Sequence, residues 1–499
     1  MEGALVEANA VTTADRPKPK LGLRAWMERV LEECERASAG FEPDPVHDLR
    51  VALRRCRSLS DGIMAMDSDP AWKDMKKAGK KLFQALGDLR DMQVMEEWIA
   101  KLGEAGDPVT VRLLEHVRVR TAECKQEAFQ DLDQFDRKRW RQWGRTLPGR
   151  SARVRPGSVV FKHLALEKWT AAYDLHKRAM RTRSQTALHE LRIGIKRFRY
   201  TVENFLPRQH AAWGNDLKEL QDLLGEVHDL DVLWATAVQI GAFLDPESRS
   251  RWREKLNEER AKRVTRYREK MLGPQSLWRV WRAELPAGPQ LRSAAMNRLR
   301  VWASFLDPDF AHAQRVVRLA LQLFDGLAHA GLLGVGPHHD SRIVLEAAAL
   351  LHDVGRAKGN KSHHKDSFNL IQGMAIPAGW TPRELELAAV VARYHRGALP
   401  SLRNQEMQRL DLQDRKVALQ LSGVLRLANR LDFRDGADPN VHVEVRDRVM
   451  TVQVAGYRPL ERSAEGIAAA GHLLETVLRR PLLVRGMRVA SRERQIARS

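Results

Sequence analysis

The chain has 499 residues, 43% of them hydrophobic, and sets 84 Lys and Arg against 64 Asp and Glu for a net charge of +20. That length allows two or three domains, each with its own core, and that charge favours a polyanionic partner: nucleic acid, an anionic membrane or a phosphate polymer. Three cysteines without paired spacing (Cys34, Cys56, Cys124) argue against a disulfide framework, a zinc ribbon and a thioredoxin-like motif, and no apolar run approaches the ~20 residues of a membrane span.

Residues 1–20 read as a disordered tail ending in Pro17-Lys18-Pro19-Lys20, with no apolar signal core, so the cytoplasm is the expected compartment. From Leu21, LGLRAWMERVLEECERA has helical apolar spacing. Next comes HDLRVALRRCR (47–57), which places His47, Arg50, Arg54 and Arg57 on one helical stripe with Arg55 beside it. WKDMKKAGKKLFQALGDLRDMQVMEEWIAKL reads as one helix carrying Lys73, Lys76, Lys77, Lys80 and Lys81, and a third helix covers about 108–135. Trp140, Trp143, Pro148 and Gly157 mark an arginine-rich connector.

The pattern then repeats. HELRIGIKRFR (189–199) sets His189, Arg192, Lys196 and Arg199 at the same spacings, with Arg197 beside them, 142 residues after the first stripe. Gly87, Asp91 and Val94 match Gly225, Asp229 and Val232, and Lys80 matches Lys218, at an offset of 138. A very basic helix over 251–282 ends the half. Residues 21–285 are therefore expected to be a duplication, 21–145 and 158–285, too long in period for a solenoid. Two similar bundles about a pseudo-twofold axis would turn both stripes towards one surface or channel.

LPAGPQL (285–291) reads as a linker. From about 294 histidine becomes frequent and apolar runs lengthen. VHVEVRDRVMTVQV (441–454) alternates as a β-hairpin, and LLVRG offers a third strand. The expected fold is mainly α: two pseudo-symmetric helical bundles, then a helical domain over 294–485 with a small terminal β element, then a tail at 486–499.

A solvated charged face is the plain reading of one such stripe, but residue-by-residue recurrence asks for more. The doubled His-x-x-Arg-x-x-x-[Lys/Arg]-Arg-x-Arg, with Leu-Gly-x-x-x-Asp downstream, resembles CHAD domains over about 265 residues. The resemblance implies two four-helix bundles whose basic residues bind inorganic polyphosphate. Carried over, the candidates are His47, Arg50, Arg54, Arg57, His189, Arg192, Lys196 and Arg199, supported by Arg55, Arg197, Lys77, Lys80 and Lys218. Each histidine either contacts ligand or bonds a backbone group at its helix start. No aromatic residue interleaves the stripes, which disfavours stacked-base readout and nucleic acid.

FAHAQRVVRLALQLFDGL, EAAALLHDVGRAKGNKSHHKDSFNLI, VVARYHRGALP and LRLANRLDF resemble an HD-type metal phosphohydrolase core. More narrowly, residues 300–485 look like the C-terminal domain of the exopolyphosphatase/guanosine-pentaphosphatase family. That resemblance implies a divalent metal (Mn, Mg, Fe or Zn) near His312, His352, Asp353, His363, His395 and Asn429. The HD pattern has Asp where this chain has Asn429. Asp432, one turn on, would substitute from about 60° away on an ideal helix, and Asp366 replaces a relative's histidine. The family's own phosphatase site lies in an actin-like domain with no counterpart read here, and no catalytic residue is assigned. Two readings follow: a cytoplasmic polyphosphate-binding protein, associated with polyphosphate granules and open to homodimerisation through its second half, or a metal-dependent phosphohydrolase of a phosphoester or phosphoanhydride.

Overall fold

A computed structural model describes residues 22–333, 340–433, 440–459 and 463–487. The expected tails at 1–20 and 486–499 lie outside these, apart from residues 486 and 487. Proline in the first turn starts many helices, where its missing N–H is not needed, and Asp, Ser or Thr side chains cap others.

The first half is built from α1 (Leu23–Gly40), α2 (Pro43–Ile63), α3 (Pro70–Ala78), α4 (Lys80–Leu102), α5 (Pro108–Asp133), α6 (Arg137–Ser151), α7 (Val159–Thr182), α8 (Gln185–Phe205), α9 (Pro207–Gln239), α10 (Pro246–Met271) and α11 (Leu277–Ala283). Hairpin α1–α2 corresponds to α7–α8, and α4–α5 to α9–α10. Within the half, α2 packs on α8 and α4 on α9, so the two copies meet along equivalent helices.

Three expectations are corrected here. The single helix over 72–102 breaks at Gly79, whose backbone leaves helical geometry where Leu53 and Trp140 pack against it. The helix over 251–282 breaks at Gly273, which adopts φ +85°, and Pro274. The arginine-rich connector is α6, and its Trp140-Arg141-Gln142-Trp143 is repeated as Trp278-Arg279-Val280-Trp281 in α11. All four indoles are buried, so they belong to the duplicated core.

The second half comprises α12 (Pro289–Leu306), α13 (Phe310–His329), α14 (Ser341–Leu351), a 3₁₀ turn (Val354–Lys358), α15 (His363–Gln372), α16 (Pro382–Arg393), α17 (Gln405–Gln408), α18 (Leu412–Arg430), β1 (Val441–Arg446), β2 (Val449–Val454), α19 (Ser463–Leu478) and β3 (Leu482–Gly486). The hairpin turns at Asp447 and Arg448, both with positive φ, and pairs Val441 with Val454. Strand β3 joins β2 in parallel, giving the order β1-β2-β3. The mainly α class with a small terminal sheet is as expected. The linker is shorter than read, because α12 starts at Pro289.

The halves touch through polar groups on α7 and α12. Glu167 pairs with Arg298 at 2.5 Å, and buried His163 bonds the Ala378 carbonyl at 2.9 Å. Inside the second half, Arg292 of α12 pairs with Glu384 of α16 at 2.9 Å and holds α12 in place.

Close approach of α2 to α8 depends on Gly62. A Cβ there would enter the Phe205 ring, which is stacked on Phe161 at 4.1 Å and has little room to swing. Gly62→Ala is expected to lower the unfolding free energy by about 2 kcal/mol, measured by urea denaturation; wild-type stability would refute this packing constraint.

Candidate functional site

Residues four apart on a helix share a face. On α2 these are Arg50 and Arg54; on α8 they are Arg192 and Lys196. The α2–α8 contact turns both pairs into one cleft of ≈ 580 Å³, with Arg90 and Asp91 from α4 and Asp229 from α9 on its walls. Among the described residues, none of the four cations forms an ion pair. Arg50 even has a buried Nε with no hydrogen-bond partner.

Like charges so gathered destabilise one another. Burial, then Arg192, Arg50 and Arg54, push the Lys196 ammonium down to about 8. Burial also pushes the Asp229 carboxyl up to about 6, against the pull of Arg192. Asp91 shifts upward too, again through burial, with Arg50 opposing.

The other expected cations go elsewhere. Arg55 pairs with Glu203 at 2.5 Å and lies over Trp26, and Arg199 reaches the same carboxylate at 3.9 Å. Arg55 is thus a structural tie across the α2–α8 seam, and Arg199 supports the same carboxylate from within α8. Arg57 donates to the Lys76 carbonyl at 2.8 Å, and Lys218 pairs with Asp222 at 3.7 Å. Arg197 lines a second, smaller cleft. Lys77, Lys80 and His47 are exposed and do not line the central cleft. His189 stands against His228, Nδ1 to Nδ1 at 3.3 Å, and burial, Arg192 and His189 push His228 down to about 4. Among the described residues, neither stripe histidine bonds a backbone group.

Sequence reasoning did not assign Arg90, Asp91, Asp229, Phe83, Trp98 or Tyr200 to the site. The Gly-x-x-x-Asp repeat had marked the two aspartates. Phe83 and Trp98 reach the cleft from α4 rather than from a stripe, Tyr200 follows the second stripe, and each carries a cation over its ring. Arg50 and Arg57 lie over Phe83 at 6.0 and 5.2 Å, Lys101 and Arg263 over Trp98 at 4.7 and 4.9 Å, and Lys196 over Tyr200 at 5.9 Å. Rings engaged in this way orient the cations.

The second half gathers a different set. His352, His363 and His395 each set Nδ1 on a backbone carbonyl, of Ala349, Asn360 and Ala392, at 2.7, 3.0 and 2.8 Å. That bond places the proton on Nδ1 and leaves the Nε2 lone pair facing inward. The three Nε2 atoms close on Asp353 Oδ1 at 3.7, 3.1 and 3.6 Å, and those of His363 and His395 are 3.2 Å apart. Lone pairs and a carboxylate at these separations repel unless a positive charge, a shared proton or a metal ion, lies among them. His352 Nε2 is buried and has no hydrogen-bond partner. Burial works against the charge on Asp353, yet His363, His352 and His395 hold it well below the usual carboxylate range. Two groups have ligand atoms within 4.8 Å of one another: His312 with His352 and Asp353, and Asp353 with His363 and His395. This nitrogen and oxygen donor set fits a borderline divalent ion.

Asn429 and Asp432 both serve His312. Asn429 Oδ1 lies 2.9 Å from its Nε2, and Asp432 takes its Nδ1 at 2.6 Å while binding Arg315 in two-point fashion at 2.6 and 2.9 Å. Asp432 therefore fixes His312 from outside rather than replacing an inner ligand, correcting that expectation. Asp366 belongs to neither group of candidate ligands. Its neighbour Ser367 accepts from Gly355 N–H at 2.9 Å and donates to the His352 carbonyl at 2.7 Å. Gly355 is required there, because a Cβ would enter the α15 backbone at His363.

A family model described as CHAD domain matches residues 22–238, and one described as Ppx/GppA phosphatase, domain III, matches residues 292–451. Among solved structures, the crystal structure of the CHAD domain from the plant Ricinus communis is similar at 20% identity, covering 53% of this chain and 90% of that chain with a TM-score of 0.36. No curated protein matches the chain. The chain thus joins a CHAD domain at residues 22–238 to a Ppx/GppA domain III at residues 292–451.

Proposed function

We propose that this chain binds inorganic polyphosphate in the cleft between α2 and α8. One observation carries the reading: Arg50, Arg54, Arg192 and Lys196, drawn from both copies, face one cleft without ion-pair partners among the described residues. A phosphate polymer offers repeated charge and no bases. The planar arginine fork bonds two phosphate oxygens at once, and ring faces already covered by cations leave little for a base to stack on. Polyphosphate-related chemistry also suits the pairing of the two matched domains. In the cell, the reading places the protein in the cytoplasm at polyphosphate granules.

A second reading is a metal-dependent phosphohydrolase, favoured by the convergence of three imidazoles on Asp353. His352, His363, His395 and Asp353 would hold the ion, with His312 positioned by Asp432. A divalent ion there supplies Lewis acidity for a phosphoryl oxygen and acidifies a bound water. The binding reading stands first because its four cleft cations carry no ion pair among the described residues, whereas Asn429 takes the place of a carboxylate.

Titration with long-chain polyphosphate at low and high salt should give tight binding that weakens steeply with salt. Reversing Arg50/Arg54 and Arg192/Lys196 to Glu should weaken it by more than about a hundredfold with helicity intact. Unchanged affinity would remove the cleft from the account.

The pH dependence follows from two groups. Below pH 6 the Asp229 carboxyl is protonated, the cleft is more positive and affinity is highest. Raising the pH through about 6 ionises Asp229 and weakens binding; raising it through about 8 discharges Lys196 and weakens it again. At constant salt, Asp229→Asn should abolish the lower step and Lys196→Arg the upper. Persistence of both steps in both variants would contradict these assignments.

For the metal centre, calorimetry with Mn²⁺ should show binding that Asp353→Ala removes, and phosphate release in the same samples tests the second reading. Release that survives Asp353→Ala would place any hydrolysis elsewhere; binding without release would leave a metal site that does not hydrolyse this polymer.

A further inference from the structure

We infer that the ligand path continues past the central cleft into a second one, and that this second cleft makes the protein a reader of polyanion length. The inference rests on the central cleft binding a polyanion. The stripe on α2 does not end at Arg54: Ser58 and Asp61 follow on the same face at helical spacing. They line a smaller cleft of ≈ 360 Å³ together with Lys76 of α3, Lys168 of α7 and Arg197 of α8. Tyr200 lines both clefts, so the two are consecutive along one seam. From Arg50 to Asp61 the helix rises about 16 Å.

The charges divide as they do in the central cleft. Lys76 is already paired with Asp61. Lys168 and Arg197 form no ion pair among the described residues. Arg197 thus leaves the first cleft because it sits one residue round the helix from Lys196, and that rotation delivers it to the second. Of the hydroxyl groups on the walls, Ser58 already donates to the Arg55 carbonyl and Thr201 to the Arg197 carbonyl, which leaves the Tyr200 hydroxyl to donate to a phosphate oxygen. A short oligophosphate held by the four central cations has no atoms left to reach Lys168 and Arg197, whereas a long chain emerging past Tyr200 does. Each additional phosphate contact releases counterions, so the longer ligand gains affinity by a salt-sensitive increment.

The test compares tripolyphosphate with long-chain polyphosphate by calorimetry at fixed salt, using the full chain. Lys168→Glu/Arg197→Glu should weaken the long polymer about tenfold and leave tripolyphosphate within about twofold. The neutral pair Lys168→Gln/Arg197→Gln should move in the same direction by less, which guards against a folding defect or a new ion pair with Lys76. If wild type binds tripolyphosphate and both variants weaken the two ligands equally, or neither, the second cleft is no subsite and the central reading stands. If wild type binds neither ligand, the central reading falls and the inference with it.

Discussion

Four like charges held face to face across a helix seam are the constraint around which the first half is built. Arg50, Arg54, Arg192 and Lys196 repel one another, and burial together with that repulsion shifts Lys196 downward. The fold keeps the seam closed by other means. Just outside the cleft, Glu203 of α8 neutralises Arg55 of α2 and lies one turn from Arg199 on its own helix. Further along, Gly62 lets Phe205 pack flush against α2. Cations on the rim of the cleft, such as Arg90 and Arg263, are paired, and the four stripe cations are left for a ligand.

How much of this was legible in the sequence depends on what periodicity can carry. The duplication, the helical class and both stripes were readable because residues four apart must share a face. Which stripe members turn inward was not, since that depends on the crossing of α2 and α8. Arg57 and Arg199 belong to the stripes by spacing, yet α2 and α8 carry them past the cleft into contact with Lys76 and Glu203. Asp91 and Asp229 recur in register, but each stands among other acidic residues, and the text gives no hint that these two will stand beside cations. The Trp-x-x-Trp pair went unread as a repeat because α6 looks like punctuation, with Pro148 and a run of arginines.

In the second half the histidines were nominated by the resemblance to HD-type text, and the structure brings His352, His363 and His395 to one carboxylate oxygen. Sequence could not show that Asp432 would reach back to His312 and Arg315. It follows α18 directly, where the chain leaves helical geometry and an ideal-helix angle no longer applies. Contact between the halves, through Glu167, Arg298 and His163, was equally invisible, since α7 reads as one more helix of the first domain. That contact places the basic seam and the histidine centre on one connected scaffold, because α7 packs on α8 and also meets α12.

The division between paired and unpaired arginines is the central claim, and the salt dependence of polyphosphate affinity tests it most directly. Neighbours in sequence, Arg54 and Arg55, differ only in that division. Arg54→Ala should flatten the slope of log affinity against log salt by about one, while Arg55→Ala should leave the slope unchanged. Equal flattening by both would mean that the cleft does not select its cations, and the account would be wrong.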